Sequence, residues 1–214
     1  MPFAYVAVVS LFSHRKYYKN IFDSKIVNRF LAKDLSDNQE LLHVLLEGQK
    51  KSLGRFGLKD IILNQDDLQI NPRTFSIIAT SQSDGNIVGG VRIYTRSDHH
   101  CLPLESKGSY LPEKYRSFIQ DEKNICELRG LWVAAEFSGL TMANQILKSA
   151  ILYCYAQSYS AVVGTSQIRT YKYIGEPLGF IRDTNIPTFP FPDDRFETIV
   201  VWHYKKYIDK LAIN

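Results

Sequence analysis

The sequence predicts a single domain of mixed α/β class over residues 1–214, on three observations. Two β-rich runs flank an Asp-Gly turn between Phe75 and Thr95, an apolar strand pattern at Ile125–Val133 runs almost directly into a helical one, and further strand patterns follow that helix. The length suits one ordinary domain, and 45% hydrophobic with 22% charged residues provides enough apolar side chains for a core. Disorder, collagen and coiled coil are excluded on that composition.

Pro2 to Phe12 is apolar, but it is shorter than the roughly 20 residues a membrane-crossing helix needs. His14, Arg15 and Lys16 follow it, whereas a secretory signal carries its basic residues first. A buried strand around Val6, Val8 and Val9 is expected. Ser36-Asp37-Asn38-Gln39 reads as a helix start, with Ser36 as N-cap and Gln39 three residues on. Leu41, Leu42, Leu45 and Leu46 give that helix its apolar face.

Phe75 to Thr80 and Ile87 to Thr95 form a hairpin across Ser81–Asn86, whose Asp84-Gly85 pair suits a tight turn. A long connection to about Asn124 follows, with a short helix expected from Pro112 to Asp121; a connection of that length often frames a site. In the strand Ile125–Val133, alternation puts Cys126, Leu128, Gly130 and Trp132 on one face. Ile125, Glu127, Arg129, Leu131 and Val133 take the other. Leu140, Ala143, Leu147, Ala150 and Cys154 then recur at steps of three and four, as in an amphipathic helix. A strand at Ser160 to Thr165, a short helix at Ile168 to Ile174 and a final strand at Glu197 to Tyr207 complete the order.

Charge and cysteine usage narrow the function classes. Lys plus Arg number 26 against 22 acidic residues, a net +4 without any long basic run, so nucleic acid is not an expected partner. Three cysteines without CxxC spacing argue against a disulfide framework and a zinc site, and fit reduced thiols in a cytoplasmic protein. His99-His100-Cys101 are adjacent and cannot all converge on one ion, so no metal is expected. Cys101 would serve as a nucleophile only with a histidine and an orienting acid beside it. Gly139 stands where the long helix begins; it either lets backbone amides approach an anion or simply shapes the turn.

Glu127-Leu128-Arg129-Gly130-Leu131-Trp132-Val133, a Gly-containing turn, an amphipathic helix and then Tyr173 ahead of Gly179-Phe180 together resemble the GNAT acyltransferase superfamily, over roughly Phe75 to Tyr204. The resemblance implies a mostly antiparallel central sheet, splayed into a V and flanked by helices, with acetyl-CoA or another acyl-CoA in the opening. It implies pantetheine contacts from Leu131, Trp132 and Val133, and phosphate contacts from Phe137, Ser138, Gly139, Leu140, Thr141, Met142 and Ala143. Of the phosphate motif positions Glu136, Gly139 and Thr141, only the central glycine conforms.

By the same resemblance, Tyr173 or Tyr171 protonates the leaving thiolate. Glu127 is either a general base for the amine or the ion-pair partner of Arg129. Arg129, with Phe189 and Phe191 of the segment Pro187–Pro192, would meet the acceptor; the alternative for that segment is a surface connection packed on the core. Glu127, Arg129 and the run Ile87-Val88-Gly89-Gly90-Val91-Arg92 are also similar to acyl-homoserine-lactone synthases and long-chain N-acyl amino acid synthases, although no tryptophan occurs in the first hundred residues. The implied activity is acyl transfer from a thioester to a small-molecule amine, without metal or membrane. Two rivals stand beside it: a long-chain synthase taking its acyl group from acyl carrier protein, and a non-catalytic module that binds a ligand or partner. Oligomeric state is not legible.

Overall fold

Eight strands share one sheet in the computed structural model, which describes residues 27–35, 38–58, 74–106, 109–137 and 140–212. The strand expected around Val6 to Val9 and the residues Ser36 and Asp37 lie outside those described. In chain order the elements are β1 (Val27–Asp34), α1 (Gln39–Gly54), β2 (Phe75–Ser81), β3 (Ile87–Thr95), α2 (Glu113–Gln120), β4 (Ile125–Val133) and α3 (Leu140–Ala156). Then come β5 (Ala161–Gln167), the single turn α4 (Ile168–Thr170) running into a π-helical turn Tyr171–Gly175, β6 (Ile181–Arg182), β7 (Phe189–Pro190) and β8 (Glu197–Tyr204). The sheet order is β1-β2-β3-β4-β5-β8-β6, with β7 also on β8, and the β4–β5 pair is parallel while the others are antiparallel.

Local chemistry explains most of these boundaries. The cap of α1 is Asn38, whose Oδ1 accepts from the Leu41 amide at 3.0 Å, two residues later than the Ser36 cap expected. Leu41, Leu42, Leu45 and Leu46 are buried against Ile78 and Trp132 as their spacing predicts. The hairpin turn is held by Asp84, whose carboxylate accepts from the Asn86 amide at 3.1 Å beside Gly85 at φ +72°. The last strand stops at Tyr204, short of Tyr207, because the chain turns into a 3-10 helix over Lys205–Ala212.

Strand parity fixes the layers. Ile77 and Val162 pack with Ile146 and Cys154 of α3 on one face. On the opposite face Ile78 packs with α1, and Val163 with Ile119 of α2. Among the described residues no helix is long and apolar enough to cross a membrane.

Two departures from regular pairing shape the middle of the sheet. First, Arg92 stands opposite Arg129 and Gly90 opposite Trp132, so Gly130 and Leu131 together face Val91 alone. This is a β-bulge, with Gly130 at φ +70°, a conformation that favours glycine. The alternation expected along β4 therefore holds only as far as the bulge. Beyond it Leu131 and Val133 join Cys126 and Leu128 on the α3 face, while Trp132 turns to α1. Second, the β4–β5 ladder ends at Leu128 opposite Gly164, although β4 continues to Val133 and β5 to Gln167. The sheet is mixed, mostly antiparallel, and splayed there into a V.

Candidate active site

A cavity of about 420 Å³ opens where β4 and β5 part. Its lining comes from both faces of the sheet. On the α3 face it meets Leu128, Leu131, Leu147, Ile174, Phe180 and Val201, all apolar. On the other it meets the polar or charged Gln49, Arg92, Tyr110, Arg129, Thr165 and Thr198, with Leu53, Phe56, Phe191 and Phe196 around them.

The polar side is built on the bulge. Arg92 is only 2% exposed, and its Nη2 donates to Gln49 Oε1 at 2.7 Å. Its Nη1 is buried without a hydrogen-bond partner among the described residues. A β-carbon at position 130 would stand 2.6 Å from Arg92 Nη2 and 2.7 Å from Gln49 Oε1, so glycine is required twice over, by φ and by space. Arg129 lies directly across the strands from Arg92, with its guanidinium 5.5 Å from the Tyr110 ring centre. Tyr110 shares a 2.8 Å hydrogen bond with the Thr165 hydroxyl and stacks on Phe191, ring centres 3.6 Å apart. The Thr198 hydroxyl donates to the Phe191 carbonyl at 2.7 Å and so ties that segment to β8.

The connection carrying Tyr110 is anchored by carboxylates. Glu127, 1% exposed, accepts from the Leu104 amide at 2.9 Å through Oε2. Glu105 accepts from Arg96 Nε at 2.9 Å and from the Leu102 amide at 2.8 Å. Arg96 also donates to the Ile119 carbonyl at 2.6 Å at the end of α2.

The expected residues divide sharply. Leu131, Arg129 and Phe191 line the cavity. Glu127 does not, being turned to Leu104; Trp132 packs on α1, Val133, Met142 and Ala143 lie in the core with Phe137 packed against it, and Phe189 is buried among the α2-side residues. Ser138 and Gly139 lie outside the described residues; Leu140 opens α3, and Thr141 and Glu136 are exposed.

Neither expected tyrosine is in the cavity wall. The π turn presents Ile174 and Gly175 inward, which leaves Tyr173 57% exposed. Tyr171 directs its hydroxyl to the Phe180 carbonyl at 3.4 Å, and burial raises its pKa above the usual phenol range.

Sequence reading missed Gln49, Arg92, Tyr110 and Thr165. One signal was present: Arg92 is the single charged residue in β3, whose other residues from Val88 on are buried and uncharged. His99, His100 and Cys101 are all exposed, with His100 Nδ1 3.1 Å from Ser97 Oγ, and no group of three potential metal ligands occurs among the described residues. Cys126 and Cys154 are buried free thiols.

No family model and no curated protein matches this chain. Solved structures do match. FeeM, an N-acyl amino acid synthase from uncultured soil microbes, superposes with a TM-score of 0.65 at 11% identity, over 86% of this chain and 96% of its own. An acyl-CoA N-acyltransferase from Pseudomonas aeruginosa gives 0.56 at 15% identity, over 82% and 98%. BjaI, a CoA-dependent acyl-homoserine lactone synthase solved with SAM and isopentyl-CoA, gives 0.57 at 14% identity, over 87% of each chain. With its bulged fourth strand, its parted parallel pair and these superpositions, the protein has the GNAT-like fold.

Proposed function

We propose that the protein is an N-acyltransferase that moves an acyl group from a thioester to the amine of a small molecule. The observation that carries this reading is the parting of β4 and β5 at Leu128 and Gly164, with a cavity running through the gap. Beyond those residues the strands' facing amides and carbonyls have no ladder partner, and the two amides of a pantetheine arm are of the right kind to satisfy them. The apolar wall of Leu131, Leu147, Ile174 and Phe180 supports an acyl chain longer than acetyl. Either CoA or acyl carrier protein supplies that pantetheine.

The chemistry is addition and elimination. The neutral amine adds to the thioester carbonyl, the oxyanion is stabilised by amides of the bulged stretch of β4, the nitrogen gives up its extra proton to solvent, and the C–S bond breaks with departure of the thiolate. Tyr110 is the tyrosine that lines the cavity, and its hydroxyl stands beside Thr165, just past the point where β5 leaves β4. It replaces Tyr173 and Tyr171 as our candidate to protonate the thiolate, a role typically worth about 10² to 10⁴-fold in rate. In this reading Glu127 positions the connection that carries Tyr110.

The exposed Glu136 beside the expected phosphate site favours one rival, a non-catalytic binding module. A single experiment separates the two. Thiol release is followed with acetyl-, octanoyl- and palmitoyl-CoA and the matching acyl carrier protein thioesters over a panel of amines, with the amide identified by mass spectrometry. The proposal expects one thiol per amide and faster turnover with the longer chains. It also expects a loss of about 10²-fold or more in Tyr110→Phe and little change in Tyr173→Phe. Absence of thiol release with every donor would leave the binding module.

A further inference from the structure

Two arginines face each other across β3 and β4 inside the cavity. Like charges directly opposite on a sheet face are destabilising, and a guanidinium removed from water is costly unless its N–H groups are used. Arg92 nevertheless sits there 2% exposed, opposite Arg129, with Gln49 as the neutral acceptor of its Nη2 and with Nη1 unused. The carboxylates nearby do not resolve this. Glu105 is held by Arg96, and Glu127, two residues before Arg129 on the same strand, has its Oε2 engaged by the Leu104 amide. Even counting Glu127 as fully charged, two arginines leave this side of the cavity with one surplus positive charge.

The surroundings fix the fork in place. Gln49 holds Nη2, the Tyr94 ring centre lies 5.9 Å from Arg92 Cζ, and the backbone of Gly130 fills the space beneath, with no room for a side chain. A buried planar donor of this kind, orientated by neutral groups, is suited to a carboxylate.

We propose that the acceptor amine carries a carboxylate, that is, it is an amino acid, and that Arg92 and Arg129 bind this carboxylate on the polar side of the cavity. This inference rests on the acyl-transfer reading for the reaction at the amine, but the anion site itself stands on the arginine geometry. With the carboxylate held at the β3–β4 bulge, the amine of an α-amino acid is directed towards the gap beyond Leu128 and Gly164. The acyl chain then extends along the apolar wall on the α3 face. The amphiphilic product, an N-acyl amino acid, matches a cavity with an apolar wall on the α3 face and two arginines on the other.

The test uses pairs of ligands that differ only in the carboxylate. Decanoyl amides of tyrosine and tyramine, and of leucine and isopentylamine, are titrated calorimetrically into the wild-type protein. The carboxylated member of each pair is expected to bind at least about tenfold more tightly, the effect of one good charge-assisted hydrogen bond. Arg92→Met is expected to remove that difference, Arg92→Lys to restore part of it, and Arg129→Gln to reduce it in a protein that keeps the buried arginine.

Equal affinity within the pairs, or no measurable binding of any of them, overturns the proposal without use of a variant. Displacement of the decanoyl amino acids by adenosine 3′,5′-bisphosphate overturns it as well, because the anion site would then belong to donor phosphates. Acyl transfer to amines irrespective of a carboxylate would sink this inference and leave the acyltransferase reading intact. Carboxylate-dependent binding without thiol release from any thioester would do the reverse.

Discussion

The two ends of β4 are made of similar residues and do different work. From Cys126 to Leu128 the strand is paired on both sides, to β3 and to β5, and Ile125, paired to β5, and Cys126 are at most 1% exposed. From Arg129 to Val133 it is paired to β3 alone, and a cavity occupies the side that β5 has left. What separates them is one extra residue at Gly130 and one missing neighbour. The closed end is expected to govern stability, and the open end ligand chemistry.

The largest effect that would test this division is at the closed end. Ile125→Ala empties space among Leu102, Ile119 and Val163 and should cost about 2–5 kcal/mol in denaturant unfolding, with little change in turnover of the folded fraction. At the hinge between the two ends, Gly130→Ala must adopt a positive φ and put a β-carbon 2.6 Å from Arg92 Nη2. It should cost about 1–3 kcal/mol and also displace the guanidinium, so stability and acceptor binding fall together; an effect on stability alone would separate Arg92 from the site.

Thr165→Val lies wholly in the open end. It removes the hydrogen-bond partner of Tyr110 and should slow transfer roughly fivefold, about 1 kcal/mol, with the unfolding midpoint nearly unchanged.

The last effect, confined to alkaline pH, concerns the packed side of the sheet. Burial holds the Tyr153 phenol up to about 12, and its ring packs on Phe75 of β2. A phenol raised on folding contributes stability that is fully present below its unfolded value of about 10 and is lost as pH rises through its folded value. Unfolding free energy should therefore fall from about pH 10 towards pH 12, and Tyr153→Phe should flatten that slope. A slope unchanged by the substitution would assign the alkaline loss to other groups, Tyr155 among them, whose pKa burial also raises.

How far the sequence reveals this architecture follows from the same contrast. The hairpin, the bounds of β4 and the long helix α3 were legible because burial imposes a period of two or of 3.6 on consecutive residues. The bulge was not, since Gly130 leaves the apolar pattern intact and only the register against Val91 shows that the faces exchange beyond it. That exchange is why Leu131 reaches the cavity while Glu127, expected on the same face, does not.

Tyr171 and Tyr173 miss the cavity, and Tyr110 was overlooked, for a related reason. Tyr171 and Tyr173 sit in a π turn whose phase differs from an ordinary helix, whereas Tyr110 comes from a connection without periodicity, where spacing carries no information about direction. Arg92 offered the clearest unused sign, a charge within a strand otherwise built to be buried.

The central claim is that a thioester donor lies between β4 and β5, and the most direct measurement is a crystal structure with a non-cleavable decanoyl thioether of CoA. The account predicts that the pantetheine amides bond to the backbone of β4 beyond Leu128 and of β5 beyond Gly164, with the chain against Leu131, Leu147 and Ile174. A donor bound elsewhere on the protein, with the gap between those strands left to solvent, would contradict it.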